Sequence, residues 1–253
     1  MKPSGEHTEP NAGQSAEYTV QSEEQNRIPA HGTEARSSWI RGRLPVYLVM
    51  GSINCTRSPE QVLTEAIAGG TTLFQYREKE NGALTGSDSL ELARRLQRIC
   101  RAHGVPFIVN DDLELALLLD ADGVHIGQDD APAVLIWQQL GPDKIVGVSA
   151  HSLAEAQQAI ADGADYLGIG PVYPTRSKAD AEPVKGTAII EQIRAAGINI
   201  PLVGIGGIHV HNALPVLQAG ADGIAVISAI AGAIDSRQAA AELAALFSAS
   251  DMY

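Results

Sequence analysis

Aromatic residues are scarce in this chain, at 4% of its 253 positions. So few rings argue against a surface that stacks nucleic-acid bases. Cysteine is almost as rare. The two present, Cys55 and Cys100, are too few for a disulfide scaffold, and reduced thiols in the cytoplasm are the simplest expectation. Basic residues are in deficit too. Eighteen Lys and Arg face thirty Asp and Glu, a net charge of −12, which repels a phosphate backbone and excludes nucleic acid as a general partner. No apolar run reaches the roughly 18 residues needed to span a bilayer, so no membrane partner is expected. The N-terminus has no apolar stretch of the secretory kind and is too acidic for an organellar transit peptide.

What remains is 45% hydrophobic, dominated by Ala, Gly, Val, Ile and Leu. Residues 1–40 stand apart. They are rich in Glu, Ser, Gln, Asn, Gly and Pro without apolar periodicity, and read as a disordered polar tail. From Leu44 onward, short β-branched runs alternate with longer Ala/Leu/Glu/Gln stretches. Strands are predicted at Val46–Met50, Thr72–Tyr76, Phe107–Val109, Gly123–Ile126, Ile145–Val148, Tyr166–Ile169, Leu202–Gly204 and Gly223–Ile227. Helices are predicted at Ser58–Ala68, Ser89–His103, Leu153–Asp162 and His211–Ala219, among others. Such alternation means a parallel sheet with crossover helices. Eight repeats in about this length predict an α/β fold, a single (β/α)8 TIM barrel spanning residues 41–253, with a doubly wound open sheet as the rival. A weak repeat supports closure: Ala121-Asp122-Gly123, Gly163-Ala164-Asp165 and Gly220-Ala221-Asp222-Gly223 each lead into a strand and are expected to be structural turns.

In such a barrel, chemistry sits where strands end and βα loops begin. After strand 2 come Gln75, Tyr76, Arg77, Glu78 and Lys79. Alternation puts Gln75, Arg77 and Lys79 on one side and Tyr76 and Glu78 on the other. Arg and Lys there suit an anion, while a solvated strand end with an Arg–Glu pair is the bland reading. After strand 3 come Asn110, Asp111 and Asp112; after strand 4, His125 to Asp130. A carboxylate from each of two adjacent loops, Asp111 with Asp130, suits one Mg²⁺ that keeps positions for phosphate and water. Asp112 and Asp129 read as caps or solvent-facing groups. Ser149 and His151 follow strand 5; Ser149 can bond a substrate, and His151 reads as a lining or capping residue.

The long segment from Gly170 through Thr175, Arg176, Ser177 and Lys178 to Lys185 and Gly186 reads as a lid over phosphate, against an exposed connector. After strands 7 and 8 come the Gly206-Gly207 pair and Ile227-Ser228. There, backbone N–H groups and a helix start form the usual phosphate cup. The residues therefore predict two anion sites, one for a monophosphate and one for a diphosphate with metal, and no nucleophile–base dyad. Two substrates, one with a diphosphate leaving group, point to a transferase.

Taken together, Gln-Tyr-Arg-Glu-Lys at 75–79, Val-Asn-Asp-Asp at 109–112, His-Ile-Gly-Gln-Asp-Asp at 125–130, Gly-Val-Ser-Ala-His at 147–151, Gly-Pro-Val-Tyr-Pro-Thr at 170–175 and Val-Gly-Ile-Gly-Gly-Ile at 203–208 resemble the thiamine phosphate synthase (thiamine-phosphate pyrophosphorylase) family. The resemblance spans about Leu44 to Ala233. It implies joining of 4-amino-2-methyl-5-hydroxymethylpyrimidine diphosphate to 4-methyl-5-hydroxyethylthiazole phosphate, with loss of pyrophosphate. It implies that Gln75, Tyr76, Arg77, Glu78, Lys79, Asn110, Ser149 and Lys178 hold the pyrimidine diphosphate, with Arg77, Lys79, Ser149 and Lys178 catalytic. Asp111 and Asp130 would hold Mg²⁺, and Thr175, Arg176, Ser177, Gly207, Ile227 and Ser228 the thiazole phosphate. Ser177 departs from the Thr common in the family but keeps the hydroxyl.

A thiazole tautomerase on the same barrel would need no diphosphate or metal site. An aldolase-like or indole-forming lyase would need a Schiff-base Lys or a Glu acid–base. A non-catalytic sensor would keep only the phosphate cup. The Asp111/Asp130 pair and Lys178 disfavour the tautomerase, the acidic and basic neighbours of Lys79 fit a diphosphate better than a Schiff base, and the retained metal carboxylates disfavour the sensor. Parallel barrels often self-associate, so a homo-oligomer is an expectation.

Overall fold

The computed structural model describes residues 27–128, 130, 132–175, 177 and 183–250. Eight parallel strands close into a barrel in sequence order: β1 Val46–Met50, β2 Leu73–Tyr76, β3 Phe107–Asn110, β4 Gly123–Ile126, β5 Ile145–Ala150, β6 Tyr166–Ile169, β7 Leu202–Ile205 and β8 Gly223–Val226. The ring closes where β8 pairs with β1, Ala225 opposite Tyr47. Among the described residues, ten α-helices accompany the strands. They are α1 Glu34–Arg41, α2 Pro59–Ala68, α3 Gly86–Ala102, α4 Leu113–Leu119, α5 Ala133–Leu140, α6 Leu153–Ala161, α7 Ala188–Ala195, α8 Ala213–Gln218, α9 Ser228–Ala231 and α10 Ser236–Ser250.

Local chemistry sets the helix starts. Ser58, Asp112 and Ser152 each accept a backbone N–H from the first turn of α2, α4 and α6. Asp112 is thus a cap, as expected from its position. The strands are buried on both faces, which is why they read as unbroken apolar runs. Alternate residues serve two cores. Val46, Leu48 and Met50 pack outward under the helices, while Tyr47 and Val49 turn into the barrel with Leu73, Ile108, Tyr166 and Val203.

The three acidic turns perform one structural task. Asp122, Asp165 and Asp222 each accept, through a carboxylate oxygen, the N–H of the first residue of a preceding strand: Phe107 at 2.7 Å, Val146 at 2.9 Å (one residue into its strand) and Leu202 at 2.8 Å. Thr72 does the same for Val46 with its hydroxyl at 3.1 Å. Each even-numbered strand thereby closes the start of the odd strand before it, and donors at the barrel floor are satisfied.

The tail boundary needs correction. Residues 33–41 do not continue a disordered extension to position 40, because Thr33 caps α1 and α1 covers the barrel floor. Ile40 packs with the inward core. Arg36, 1% exposed, pairs with Asp165. Residues 1–26 lie outside the described residues.

Candidate functional site

The C-terminal ends of the strands surround a cleft of about 350 Å³. It adjoins a smaller pocket of about 40 Å³ beside β7 and β8, and Thr175, Ile205 and Gly206 line both. The two spaces are therefore neighbouring parts of one mouth.

Arg77, at the end of β2, lines the cleft and is only 3% exposed. Its two terminal nitrogens donate to the two carboxylate oxygens of Glu80 at 2.8 and 2.6 Å, a bidentate lock that fixes the guanidinium plane. The anticipated Arg–Glu pair thus exists with Glu80, which φ +73 turns back towards Arg77. Glu78 faces elsewhere. Its carboxylate accepts from the N–H groups of Ser52 and Leu84 and ties two loops together.

Tyr76 is likewise outside the cleft. It sits in the outer core and its hydroxyl bonds Ser89 of α3 at 2.9 Å. The fold thus turns Tyr76 and Glu78 away from the cleft lining, and the alternation that separated them from Gln75, Arg77 and Lys79 is the physical reason. Gln75 does face inward. It lies within the barrel and donates to the Tyr47 hydroxyl at 2.6 Å.

Lys79, Asn110, Asp111, Asp130 and Ser149 all line the cleft. The Lys79 ammonium is ion-paired to Asp111. Asp111 occupies the left-handed region at φ +59. Burial, then the nearby Asp130 carboxylate, push the Asp111 carboxyl above its ordinary range, while Lys79 opposes them. Asp130 is steadied by the Gly127 N–H at 2.7 Å. Two hard carboxylates crowded together, with a cation already resting on one, are a donor set that fits a divalent ion needing two protein ligands. Among the described residues, no three His, Cys, Asp or Glu side chains group as a larger metal cluster.

His151 lines the cleft, held by the Gly170 carbonyl at 2.6 Å. Arg176, Lys178 and Asp129 lie outside the described residues, and so do residues 179–182 of the expected lid. Lys185, which closes that segment, lines the cleft and adds a cation.

Thr175, Ser177, Gly207, Ile227 and Ser228 come together around the small pocket. The Ser177 and Ser228 hydroxyls approach to 3.5 Å. Gly207 has φ +63, and a Cβ there would meet the Pro174 carbonyl and sit 2.9 Å from the Tyr173 Cβ. Gly207→Ala is therefore expected to strain this wall by about 1–3 kcal/mol, lowering the thermal midpoint by several degrees as followed by circular dichroism. An unchanged midpoint would mean the loop moves aside at little cost.

Sequence reasoning missed Glu80, Gln128, Glu155 and the site role of His125. Gln128 and Glu155 line the cleft from loop and helix positions that alternation does not reach. His125 had a usable signal, because its place in β4 is an inward one.

A family model described as thiamine monophosphate synthase matches residues 46–230. The chain is 58% identical over 208 residues to the thiamine-phosphate synthase of Geobacillus kaustophilus, covering 82% of this chain and 94% of that one. It is 54% identical over 208 residues to that of Bacillus velezensis, covering 82% and 92%. Among solved structures, thiamine phosphate pyrophosphorylase from Pyrococcus furiosus superposes with a TM-score of 0.73 at 36% identity, covering 83% of this chain and 98% of the other.

Proposed function

Since the chain belongs to the thiamine monophosphate synthase family, and so serves thiamine biosynthesis as a transferase, we propose that it joins 4-amino-2-methyl-5-hydroxymethylpyrimidine diphosphate to 4-methyl-5-hydroxyethylthiazole phosphate. The products are thiamine phosphate and pyrophosphate. The observation that carries this reading is the two-part mouth. A cationic and carboxylate-bearing cleft of diphosphate chemistry opens directly into a glycine- and hydroxyl-lined pocket of monophosphate size.

Asp111 and Asp130 would hold one Mg²⁺. When bound, it would neutralise diphosphate oxygens and so ease pyrophosphate departure. Arg77, immobilised by Glu80, and Lys79 add positive charge at the same end, where the leaving group gathers electrons. Lys178 completes that set. Ser149 bonds the pyrimidine, and Asn110 flanks it. Thr175, Arg176, Ser177, Gly207, Ile227 and Ser228 hold the thiazole phosphate.

In the reaction, the bond between the methylene carbon and the diphosphate oxygen breaks, and its electron pair leaves with pyrophosphate. The electron-rich aminopyrimidine supports the cationic methylene. The thiazole nitrogen lone pair then forms the new C–N bond and has no proton to lose, so no general base is required. Catalysis is positioning plus electrostatics.

Pyrophosphate release tests this. Purified protein, Mg²⁺ and both substrates are expected to release pyrophosphate and form thiamine phosphate in equal amount, and omission of any one component is expected to stop both. Binding of the thiazole phosphate without any release would favour the tautomerase or sensor reading instead. In the same assay Lys178→Ala is expected to lower turnover about a hundredfold with the circular dichroism spectrum unchanged. Near-normal turnover would remove Lys178 from the diphosphate site.

A further inference from the structure

A line of hydrogen bonds runs through the barrel interior to the floor of the cleft. The Gln75 amide nitrogen donates to the Tyr47 hydroxyl at 2.6 Å. The Tyr47 and Tyr166 hydroxyls lie 2.8 Å apart, and Tyr166 lies 2.9 Å from His125 Nδ1. His125 Nε2 lies 2.9 Å from the Ser149 hydroxyl, which lines the cleft. The packing is made for this line. A Cβ at Gly147 would collide with the Tyr166 ring, and one at Gly168 would come within 3.1 Å of the His125 ring. Glycine at these two inward positions leaves the space that the rings fill.

We infer that Tyr47, Tyr166 and His125 are positioning residues that form a one-way hydrogen-bond chain and fix the Ser149 hydroxyl as a donor into the cleft. The direction follows from counting protons. Burial pushes both phenols well above the usual tyrosine range, so each carries one proton to place. Tyr47 already receives an N–H of the Gln75 side-chain nitrogen, which cannot accept, so its proton goes to Tyr166. The Tyr166 proton then goes to His125 Nδ1.

The ring proton therefore sits on Nε2 and points at the Ser149 oxygen, and the serine proton is directed into the cleft. A ring protonated at Nδ1, alone or in addition, would drive the Tyr166 proton onto Tyr47 and strand the Tyr47 proton against an N–H donor. Stranding a buried donor costs about 1–3 kcal/mol. The ligand atom that Ser149 meets is accordingly a hydrogen-bond acceptor, such as a ring nitrogen or a phosphate oxygen. The kinetic consequence rests on the proposed placing of the pyrimidine diphosphate beside Ser149; the direction of the chain does not.

The test is ¹⁵N NMR of the histidine rings in the full, uniformly labelled chain, with the His125 signals identified by their loss in His125→Gln. Wild type is expected to show a protonated Nε2 and a bare Nδ1. Tyr166→Phe removes the donor to Nδ1 and is expected to give a mixture of tautomers. It is also expected to raise KM for the diphosphate substrate about threefold to tenfold, with KM for the monophosphate substrate unchanged. Gln75→Leu, similar in volume, removes the donor that sets the direction. It is expected to loosen the tautomer in the same way, should Tyr166→Phe not fold.

A wild-type ring protonated at Nδ1 would overturn the chain. So would variants in which both the tautomer and the two KM values stay as in wild type. A protonated Nε2 in a protein that turns over neither substrate would uphold the chain and remove the proposed reaction, so the two failures are distinguishable.

Discussion

Asp111→Asn is expected to raise the thermal midpoint of the metal-free protein and to cut Mg²⁺-dependent turnover about a hundredfold or more. The backbone permits the change, because Asp111 sits at φ +59 and Asn tolerates the left-handed region as well as Asp does. The stabilising half follows from the raised carboxyl pKa, which burial causes first and the Asp130 charge augments. A carboxyl that holds its proton more tightly in the fold than in the unfolded chain favours the fold below its ordinary pKa. That advantage is lost as pH rises through the raised value, and above it ionised Asp111 is a net cost.

Asn carries no such charge. The midpoint difference between variant and wild type should therefore grow as pH climbs from 3.8, the ordinary aspartate value, through the raised one, and stay level beyond. Mg²⁺ should reverse the ranking. A ligand at a hundredfold excess over its Kd stabilises by about 2.7 kcal/mol, several degrees for a domain of this size, and that shift should be small in the variant. Equal Mg²⁺ shifts in the two proteins would show that Asp111 is not a ligand.

The residues differ in how readily the sequence betrays them. The strands were legible because burial on both faces makes them continuous apolar runs, and observed ends differ from expected ones by at most two residues. The acidic turns were legible because Asp122, Asp165 and Asp222 recur at the same offset from a strand. The cleft residues Arg77, Lys79, Asn110, Asp111 and Ser149 followed from one rule, that chemistry gathers at strand ends.

Glu80 was not legible as the partner of Arg77. Alternation stops being a guide where the chain takes a positive φ, and there a residue three positions on can turn back while its nearer neighbour Glu78 is held by Ser52 and Leu84. His125 was partly hidden for another reason. Its inward direction was readable, but the space for its ring comes from Gly168 on the second strand over, and the chain it joins begins with Tyr47, 78 positions earlier. Tyr76 and Glu78 show the converse case: the motif is contiguous, but a strand sends its successive side chains to opposite faces, and these two face away from the cleft.

The least legible feature was the Arg36 clamp on the floor, and it carries the largest expected effect on stability. Arg36→Ala is expected to destabilise the protein by about 3–5 kcal/mol and to lower its midpoint by about 10 °C or more. The guanidinium has five N–H donors and uses them all. Nε and Nη2 take the two oxygens of Asp165 at 2.6 and 2.8 Å, Nη1 takes the carbonyls of Pro29 and Pro142 at 2.9 and 3.1 Å, and Nη2 also reaches the Lys144 carbonyl. The Trp137 ring covers it at 5.0 Å. Removing Arg36 leaves the buried Asp165 charge without its partner and three carbonyls without a donor.

Replacing both members of a buried pair by apolar residues is often neutral, but here Asp165 also accepts the Val146 N–H at 2.9 Å. Arg36→Met combined with Asp165→Leu should therefore recover only part of the loss. Because Arg36 lies at the opposite end of the barrel from the cleft, turnover per folded molecule at low temperature should be unchanged. Thermal unfolding of the single and double variants, read beside that turnover, decides the matter. A midpoint unaltered by Arg36→Ala would mean that α1 rests on the floor without holding it shut.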